Sequence, residues 1–400
     1  MAKQRIGILG GTFNPIHSGH ILMAEKAMEF AHLDRVLFLP DGQPPHKTDI
    51  APGEDRWRML CAAIAGHPDF EPCRMELDRE GITYTYDTLQ DLKKAYPKSE
   101  LFFIIGADTL LQIQHWYKYE KVIEMCTFLC CPRISASGDE VTAERKRLCH
   151  LGARIKMIPM DLTNISSTAV REALALQKDC DLVPVPVLEY CGASGMYGAP
   201  LRISQSQTWF PLLFEALTVK RFAHTLSVAW TARNLARNHQ VNPIQAEIAA
   251  LLHDCCKCMP LKRMQEICQE HSLTADTLIM SSGALLHSIA GAYVAAETYG
   301  IEDPDILRAI SAHTTGKVGM TKLDMVVFLA DKIEPTRASY PTLNKIRLLA
   351  PLSLERAMLA SLEGTAAYVK SGKDALHPQS LRTMEWLRTL PEVQKAMSKE

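Results

Sequence analysis

Two histidines three residues apart are the first feature of the sequence that could do chemistry. They are His17 and His20, in the stretch GGTFNPIHSGH at residues 10–20, directly after a short apolar run. Glycines after a strand let backbone N–H groups approach phosphate oxygens, and an imidazole can donate to such an oxygen as negative charge builds. The stretch has neither a Walker lysine nor the G-x-G-x-x-G spacing. It therefore indicates a phosphate-binding loop of another kind.

A second set of residues, in the other half of the chain, has the side chains of metal ligands. Each lies in an apolar, helix-like context: His224, His253, Asp254, His287, His313 and Asp331. Helices that each offer one or two nitrogen or oxygen ligands can build a dinuclear site in a bundle core. Asp254 suits the bridging position in such a site, and we expect it to be catalytic, because paired ions can activate water and hold phosphate oxygens.

The elements around the first motif alternate short apolar runs with amphipathic helices. The runs are bounded by glycine, proline or charge, and they lie at 5–10, 35–40, 101–106, 127–132 and 154–159. Helical patterns cover 20–31 and 170–177. The alternation predicts an α/β fold with a doubly wound parallel sheet, which binds ligands at the carboxyl ends of its strands. The histidine motif lies at that edge.

The second half of the chain has a different character. The stretch CGASGMYGAP at 191–200 is rich in small residues and predicts a boundary, which gives domains 1–198 and 199–400. Beyond it, helical patterns lie at 211–238, 243–258, 284–299, 303–313, 320–333 and 353–370. We therefore expect an all-α helical bundle in the second half.

Composition narrows the classes of function. The 400 residues carry a formal net charge of -1, which argues against a nucleic-acid or membrane-surface partner. A glycine turn at residue 10 interrupts any signal-peptide core, and no apolar run is long enough to cross a bilayer. We expect a cytoplasmic protein whose 12 cysteines are reduced thiols. Whether several copies assemble into a homo-oligomer stays open.

The first motif belongs to a set that resembles a known family. HSGH (17–20) resembles the core of the (H/T)xGH nucleotidyltransferase superfamily, and ISSTAVR (165–171) resembles its second signature. Three more segments resemble one branch, the bacterial nicotinate-mononucleotide adenylyltransferases: PPHK (44–47), YTYDTL (84–89) and GADTLLQIQHW (106–116). The resemblance covers about residues 5–198. It implies a Rossmann-like domain that transfers AMP from ATP, accompanied by Mg²⁺, to nicotinate mononucleotide, giving deamido-NAD and pyrophosphate.

The resemblance also implies residue roles. His17 and His20 would stabilise the triphosphate and the transition state, because attack of a phosphate on the α-phosphorus needs no protein nucleophile or base. The expected ATP and phosphate contacts are Gly10, Gly11, Thr12, Phe13, Lys47, Ser166, Ser167, Thr168, Arg171 and Arg133. His46 adjoins Lys47 in the same loop. The expected nicotinate-nucleotide contacts are Tyr84, Thr85, Asp108 and Trp116.

The second set resembles another superfamily. The pair His253-Asp254 is similar to the pair that gives HD-domain phosphohydrolases their name. Three segments resemble the bacterial YqeK-type domain: AHTLSVA (223–229), HTTG (313–316) and ADKIEPTR (330–337). The resemblance covers about residues 205–375. It implies symmetric hydrolysis of diadenosine tetraphosphate to two ADP at two iron ions, although the ligand types would also accept manganese or another divalent ion.

This second resemblance also implies a division of ligands. His224, His253, Asp254 and Asp331 would bind one ion. Asp254, His287 and His313 would face the other. Three cationic residues are near these ligands in sequence and are expected to meet the polyphosphate: Lys257, Lys332 and Arg337.

Two alternatives stay open at this point. The first domain could adenylylate another phosphate acceptor, such as nicotinamide mononucleotide or phosphopantetheine. The second domain could be a non-catalytic module that binds a nucleotide and regulates the first.

Overall fold

The computed structural model describes residues 3–42, 50–132, 138–159, 165–176, 181–370 and 376–398. The chain divides into two compact units, Met1–Cys191 with Met196–Pro200, and Gly192–Gly195 with Leu201–Glu400. Three residues with expected phosphate roles, His46, Lys47 and Arg133, lie outside the described residues.

The first unit is built on a parallel sheet. Its strands are β1 (Arg5–Gly11), β2 (Arg35–Pro40), β3 (Phe70–Pro72), β4 (Glu100–Gly106), β5 (Thr127–Cys131) and β6 (Arg154–Met157). The strand order is β3-β2-β1-β4-β5-β6, and every neighbouring pair is parallel. In the register of β1, Ile6 lies opposite Arg35 of β2 and Leu101 of β4. The strand order therefore reverses between β1 and β4 in the middle of the sheet. This is the switch point, and such sheets bind ligands there at the carboxyl ends of the strands.

Helices lie between the strands along the chain, and two more follow the last strand. They are α1 (Ser18–Ala31), α2 (Gly53–Ile64), α3 (Thr85–Ala95), α4 (Ala107–Leu110), α5 (Tyr119–Met125), α6 (Gly138–His150), α7 (Ser167–Ala175) and α8 (Val185–Ser194). The four central strands, β2, β1, β4 and β5, are apolar on both faces, and Ile8, Phe103 and Phe128 lie in the buried core. The predicted doubly wound sheet is confirmed. The expected strands are present, and β3 is an additional short edge strand.

The second unit contains helices and no strand among its described residues. They are α9 (Ser206–Ala216), α10 (Val219–Asn238), α11 (Pro243–Leu252), α12 (Leu261–Glu270), α13 (Thr277–Met280), α14 (Gly283–Glu297), α15 (Pro304–Ala312), α16 (Lys322–Ile333), α17 (Leu343–Leu349), α18 (Leu354–Lys370), α19 (Pro378–Thr389) and α20 (Pro391–Met397). The predicted all-α architecture is confirmed. In the described part of the chain, no helix combines the length and apolar character needed to cross a membrane.

Two of the expected helices differ in extent from the sequence pattern. The pattern at 211–238 is two helices, because Thr218 is extended and its side chain accepts a hydrogen bond from the Arg221 N–H, which starts α10 anew. The helical pattern at 243–258 is longer than the observed helix, because α11 ends at Leu252. His253 and Asp254 lie in the turns that follow.

Candidate active sites

The glycine-rich loop after β1 is held in an uncommon backbone conformation. Phe13 has a φ of 46°, in the left-handed region that non-glycine residues adopt at a cost of about 1–3 kcal/mol. Its buried ring lies 5.0 Å from the ring of His20 and 6.1 Å from that of Phe38, between centroids. The packing of the ring holds the backbone there. Strain of this kind concentrates at functional loops.

The two histidines of the loop lie against each other at the start of α1. Their rings are stacked with centroids 3.7 Å apart. The backbone N–H of His17 donates to Nδ1 of His20 over 3.2 Å. In a neutral imidazole one nitrogen accepts and the other donates, so Nε2 of His20 carries the proton. His20 is therefore prepared to donate a hydrogen bond to an anion at the N-terminus of α1.

The second motif packs directly on this loop. Ser167 Oγ donates to the carbonyl of Pro15 over 3.2 Å, and Arg171 Nη1 donates to the carbonyl of Asn14 over 2.9 Å. A Cβ on Gly19 would lie 3.4 Å from Cβ of Ile165 and 3.0 Å from Nδ1 of His17, so a larger residue here would require the ring of His17 to shift. Motifs about 150 residues apart in sequence thus form one site.

The start of α7 presents hydroxyl and guanidinium groups together. Ser166 caps the helix by accepting from the N–H of Ala169 over 3.2 Å. Arg171 Nη2 donates to Oγ1 of Thr168 over 3.2 Å. A helix N-terminus with a forked cation beside it suits phosphate oxygens. The geometry therefore brings Ser166, Ser167, Thr168 and Arg171 into the surroundings of the histidine loop.

The residues expected to bind the pyridine nucleotide follow β3 and β4. Tyr84 and Thr85 lie at the start of α3, and Asp108 lies in α4, immediately after β4. Trp116 is half-buried, with its ring edge-on to Phe103 at 5.9 Å between centroids.

Tyr117 is a further aromatic residue beside the expected nicotinate-nucleotide contacts, and the sequence motifs did not include it. Its ring lies 4.7 Å from the ring of Tyr84, between centroids, and Lys118 Nζ lies 4.6 Å from its centre. The only sequence signal for Tyr117 is its place beside Trp116.

A buried arginine also escaped the motif analysis. Arg56 of α2 is 2% exposed and donates to the carbonyls of Thr12, over 2.8 Å, and Ala51, over 3.0 Å. Burial lowers the pKa of its guanidinium, and the nearby Asp41 opposes that shift. Arg56 therefore ties the glycine-rich loop to the segment that leads into α2. An arginine at the start of the apolar helical pattern RWRMLCAA (56–63) was the available signal.

The second site brings together all six expected ligands. Nε2 of His224 lies 3.1 Å from Oδ1 of Asp331, and Nε2 of His253 lies 3.3 Å from Oδ2 of Asp254. We call His224, His253, Asp254 and Asp331 the first cluster. Nε2 of His287 lies 3.0 Å from Oδ1 of Asp254, and Nε2 of His313 lies 3.8 Å from the same oxygen. Asp254, His287 and His313 form the second cluster.

The two clusters share Asp254, with one oxygen toward each. Three ligand atoms in each cluster lie within 4.8 Å of one another, from His224, His253 and Asp254 and from Asp254, His287 and His313. All six side chains are buried. A shared carboxylate between two such groups is the arrangement of a dinuclear metal site.

The protonation of the imidazoles tests whether a metal fits. Nδ1 of His253, His287 and His313 lies 2.5, 3.2 and 2.7 Å from the backbone carbonyls of Ala250, Gly283 and Ile310, respectively. A carbonyl only accepts, so each Nδ1 carries the proton and each neutral imidazole has its lone pair at Nε2. These lone pairs point toward carboxylates and toward each other, with 3.0 Å between Nε2 of His287 and of His313.

Such a group of acceptors requires a cation. Among the described residues, Nε2 of His253 is buried without a hydrogen-bond donor. Lone pairs of nitrogen and carboxylate oxygen at these distances repel each other, and a divalent ion between them removes the repulsion. The residues present therefore fit divalent metal ions.

The surroundings of Asp254 and His313 favour the protonation states in which these residues can bind a metal ion. Burial raises the pKa of the Asp254 carboxyl, but positive charge on the protonated forms of His253, His287 and His313 outweighs it and holds that pKa well below its usual range. Burial lowers the pKa of His313 well below its usual value. Asp254 is therefore ionised and His313 neutral, as metal ligands must be.

Four cations surround the clusters. Lys332 Nζ lies 2.9 Å from Oδ2 of Asp331, and Arg337 Nη1 lies 3.8 Å from its Oδ1. Lys257 Nζ lies 3.3 Å from Nε2 of His287. Arg221, which the motif analysis missed, places Nη1 2.8 Å from Oδ2 of Asp254. These cations are partly exposed, so an anionic ligand can contact them next to the clusters.

Comparison with known proteins gives two family matches. Residues 8–173 match a cytidylyltransferase-like family model, and residues 221–336 match the HD domain. The second match spans every ligand of the two clusters.

Relatives extend these matches. A Mycoplasma genitalium protein, named "Probable nicotinate-nucleotide adenylyltransferase/Ap4A hydrolase", is 28% identical over 376 residues, which cover 92% of this chain and 99% of that protein. A Dehalococcoides mccartyi protein, named "Probable nicotinate-nucleotide adenylyltransferase", is 39% identical over 201 residues, covering 49% of this chain and 98% of that protein. A crystal structure of an HD superfamily hydrolase from Clostridium acetobutylicum is 31% identical, covers 48% of this chain and 97% of that chain, and has a TM-score of 0.44.

The fold and the sites define a nucleotidyltransferase unit followed by an HD-type unit with a divalent metal site. The chain belongs to the nicotinate-nucleotide adenylyltransferase family and continues into an HD domain. The resemblance expected from the motifs is confirmed.

Proposed function

We propose that this chain is a bifunctional enzyme with domains at 1–198 and 199–400. The first domain transfers AMP from ATP to nicotinate mononucleotide, giving deamido-NAD and pyrophosphate. The second domain hydrolyses diadenosine tetraphosphate symmetrically to two ADP. The name of the Mycoplasma genitalium relative, which aligns with nearly the whole chain, joins the same two activities.

The observation that carries the first activity is the meeting of the histidine loop with the start of α7. In the proposed reaction a 5′-phosphate oxygen of the mononucleotide attacks the α-phosphorus of ATP. A bond forms between them, the bond from the α-phosphorus to the oxygen bridging to the β-phosphorus breaks, and pyrophosphate leaves with that oxygen and the electron pair. ATP enters as its Mg²⁺ complex.

The protein's part in this step is positioning and charge stabilisation. His20 donates from Nε2 to the triphosphate, and His17, stacked on it, faces the same charge. Gly10, Gly11, Thr12 and Phe13 supply the loop backbone. Ser166, Ser167, Thr168 and Arg171 hold phosphate oxygens. Lys47 and Arg133 are proposed as further phosphate contacts, and Tyr84, Thr85, Asp108 and Trp116 as contacts to the nicotinate nucleotide.

Initial rates test the first activity. Purified protein is assayed with Mg-ATP and either nicotinate mononucleotide, nicotinamide mononucleotide or phosphopantetheine. We expect the acid mononucleotide to react fastest and His20→Ala to lose most of the rate. His67→Ala, a half-exposed histidine of the same unit that pairs with Glu25, is the matched control and keeps it. A preference for the amide or for phosphopantetheine would overturn the substrate assignment.

The observation that carries the second activity is the group of buried histidine Nε2 atoms around the shared carboxylate of Asp254. His224, His253, Asp254 and Asp331 are proposed to hold one ion, and Asp254, His287 and His313 the other. We propose iron as the metal, with manganese as an accepted substitute. When bound, such ions supply charge neutralisation for phosphate oxygens and lower the pKa of water.

The chain's own cations complete this site. Lys257, Lys332 and Arg337 are proposed to bind the polyphosphate, and Arg221 stands beside them. Each lies within 4 Å of a ligand residue, so a phosphate that replaces this contact stays next to the clusters. Guanidinium groups bind phosphate in a forked geometry, and ammonium groups as point charges.

Anaerobic purification and product analysis test the second activity. We expect metal in the wild type and two ADP from each diadenosine tetraphosphate. We expect both to be lost in Asp254→Ala, while adenylyl transfer in the same chain persists as the internal control. Wild-type protein that holds no metal and cleaves nothing after iron or manganese is added would instead support a regulatory nucleotide-binding module.

A further inference from the structure

His224 differs from the other three ligand histidines in what supports it. Its Nδ1 lies 3.2 Å from Oε1 of Glu334, whereas Nδ1 of His253, His287 and His313 each donates to a neutral backbone carbonyl. Glu334 follows the last residue of α16, three residues after Asp331. The end of this helix thus places one carboxylate behind the imidazole and another in front of it, where Nε2 lies 3.1 Å from Oδ1 of Asp331.

Glu334 is fixed in this place from several directions. Its side chain is 2% exposed. Its Oε2 accepts from the backbone N–H of Thr336 over 2.6 Å and from the Thr336 hydroxyl over 2.7 Å. Arg347 donates to the backbone carbonyl of Glu334 over 2.8 Å. A carboxylate held so tightly orients the ring of His224 and makes Nε2 a stronger ligand.

The second cluster has a cation, not a carboxylate, beside one of its histidines. Lys257 Nζ lies 3.3 Å from Nε2 and 3.5 Å from Nδ1 of His287, so the ammonium group lies beside the ring. A metal ion bound at Nε2 of His287 would therefore have a positive charge as a close neighbour, and like charges repel. The cations beside the first cluster pair with the carboxylates of Asp254 and Asp331, which offset their charge.

We infer that the two metal positions fill in order, the first cluster tightly and the second weakly, and that Glu334 is the positioning residue that sets the tight affinity. The inference rests on the metal-binding part of the proposed function. The first cluster also has four protein ligands and two carboxylates, whereas the second has three ligands and shares its one carboxylate. The second position is therefore the exchangeable one, where a metal arrives or leaves while the first stays bound.

Metal titration of the full chain tests the order. Protein stripped with a chelator and dialysed is titrated anaerobically with Mn²⁺, followed by calorimetry and by the electron paramagnetic resonance signal of free Mn²⁺. We expect two binding steps whose dissociation constants differ by about tenfold or more. His313→Ala should remove the weak step alone.

Two variants separate the causes. Glu334→Gln should weaken the tight step by about 10- to 100-fold and leave the weak step unchanged. Lys257→Met should strengthen the weak step alone, and it keeps the test decisive if Glu334→Gln folds poorly by circular dichroism. Glu363→Gln, on the exposed pair with Arg388, is the matched control and should change neither step.

The outcomes distinguish this inference from the proposed function. Two equivalent steps in the wild type, or a Glu334→Gln variant that weakens both steps or neither, would overturn the order and the role of Glu334 while leaving a dinuclear hydrolase in place. Absence of any metal binding in the wild type would overturn the proposed hydrolase itself.

Discussion

Arg171 offers the sharpest test of how the two nucleotide motifs depend on each other. Its guanidinium donates to the carbonyl of Asn14 over 2.9 Å and to Oγ1 of Thr168 over 3.2 Å, so one side chain joins the histidine loop to α7. In Arg171→Lys the charge stays, but the single ammonium group cannot hold both partners and a phosphate in a fork.

The expected loss follows from one missing charge-assisted hydrogen bond. Such bonds contribute about 1.5–3 kcal/mol, and Arg171 is half-buried, so the lower end applies. About 1.5 kcal/mol corresponds to roughly a tenfold loss of kcat/KM. Losing the forked grip on phosphate adds to this, and we expect a total loss of about 10- to 100-fold.

The assay is deamido-NAD formation at limiting Mg-ATP, with hydrolysis of diadenosine tetraphosphate measured on the same preparation. The second rate should not change, which excludes misfolding or low active concentration as the cause. Arg154→Lys is the matched control, because Arg154 also donates to a hydroxyl and a carbonyl, those of Thr127 and Glu124, but on the exposed edge strand β6. A loss smaller than threefold in Arg171→Lys would refute the coupling of the two motifs through this side chain.

Three further predictions concern stability and metal. Burial, with the Asp41 carboxylate, raises the pKa of Glu76 from 4.5 to about 7. Ionisation of Glu76 therefore lowers the free energy of unfolding progressively between those pH values. Glu76→Gln should raise that free energy at pH 8 by at most about 3 kcal/mol, seen as a higher melting temperature, and should have little effect at pH 4.5. Phe328→Ala, in the core of α16, should cost about 3–5 kcal/mol in denaturant unfolding, whereas Leu352→Ala, at 77% exposure, should cost under about 0.5 kcal/mol. Chelation followed by dialysis into Mg²⁺ should restore adenylyl transfer but not hydrolysis, until iron or manganese is added and both rates are measured again.

Much of the fold could be predicted because its signals are local. Strands buried on both faces appear as short apolar runs between glycine, proline and charge, and they were predicted within about a residue or two of their observed ends. The edge strand β3 could not be predicted, because three residues ending in proline carry no periodicity. The break between α9 and α10 depends on the cap at Thr218, which an otherwise continuous helical pattern concealed.

The sequence was enough to predict which residues come together at the two candidate sites, but not which contacts support them. The proposed metal ligands and the proposed phosphate contacts stand in motifs, so residue type and spacing were enough to choose them. Arg56, Arg221 and Glu334 act through contacts 30 to 110 residues away in sequence, on Thr12, Asp254 and His224 respectively. No spacing rule relates such pairs, because only the packing of different helices and loops brings them together.

The histidines illustrate the same limit at the level of a single proton. In sequence, His20 and His253 are both imidazoles in apolar, helix-like surroundings. In the structure Nδ1 of His20 accepts from a backbone N–H, whereas Nδ1 of His253 donates to a backbone carbonyl. The first arrangement leaves a proton at Nε2, which suits a phosphate oxygen. The second leaves a lone pair there, which suits a metal ion. One backbone partner thus decides whether a histidine meets an anion or a cation, and the two halves of this chain use the two choices for the two proposed kinds of phosphate chemistry.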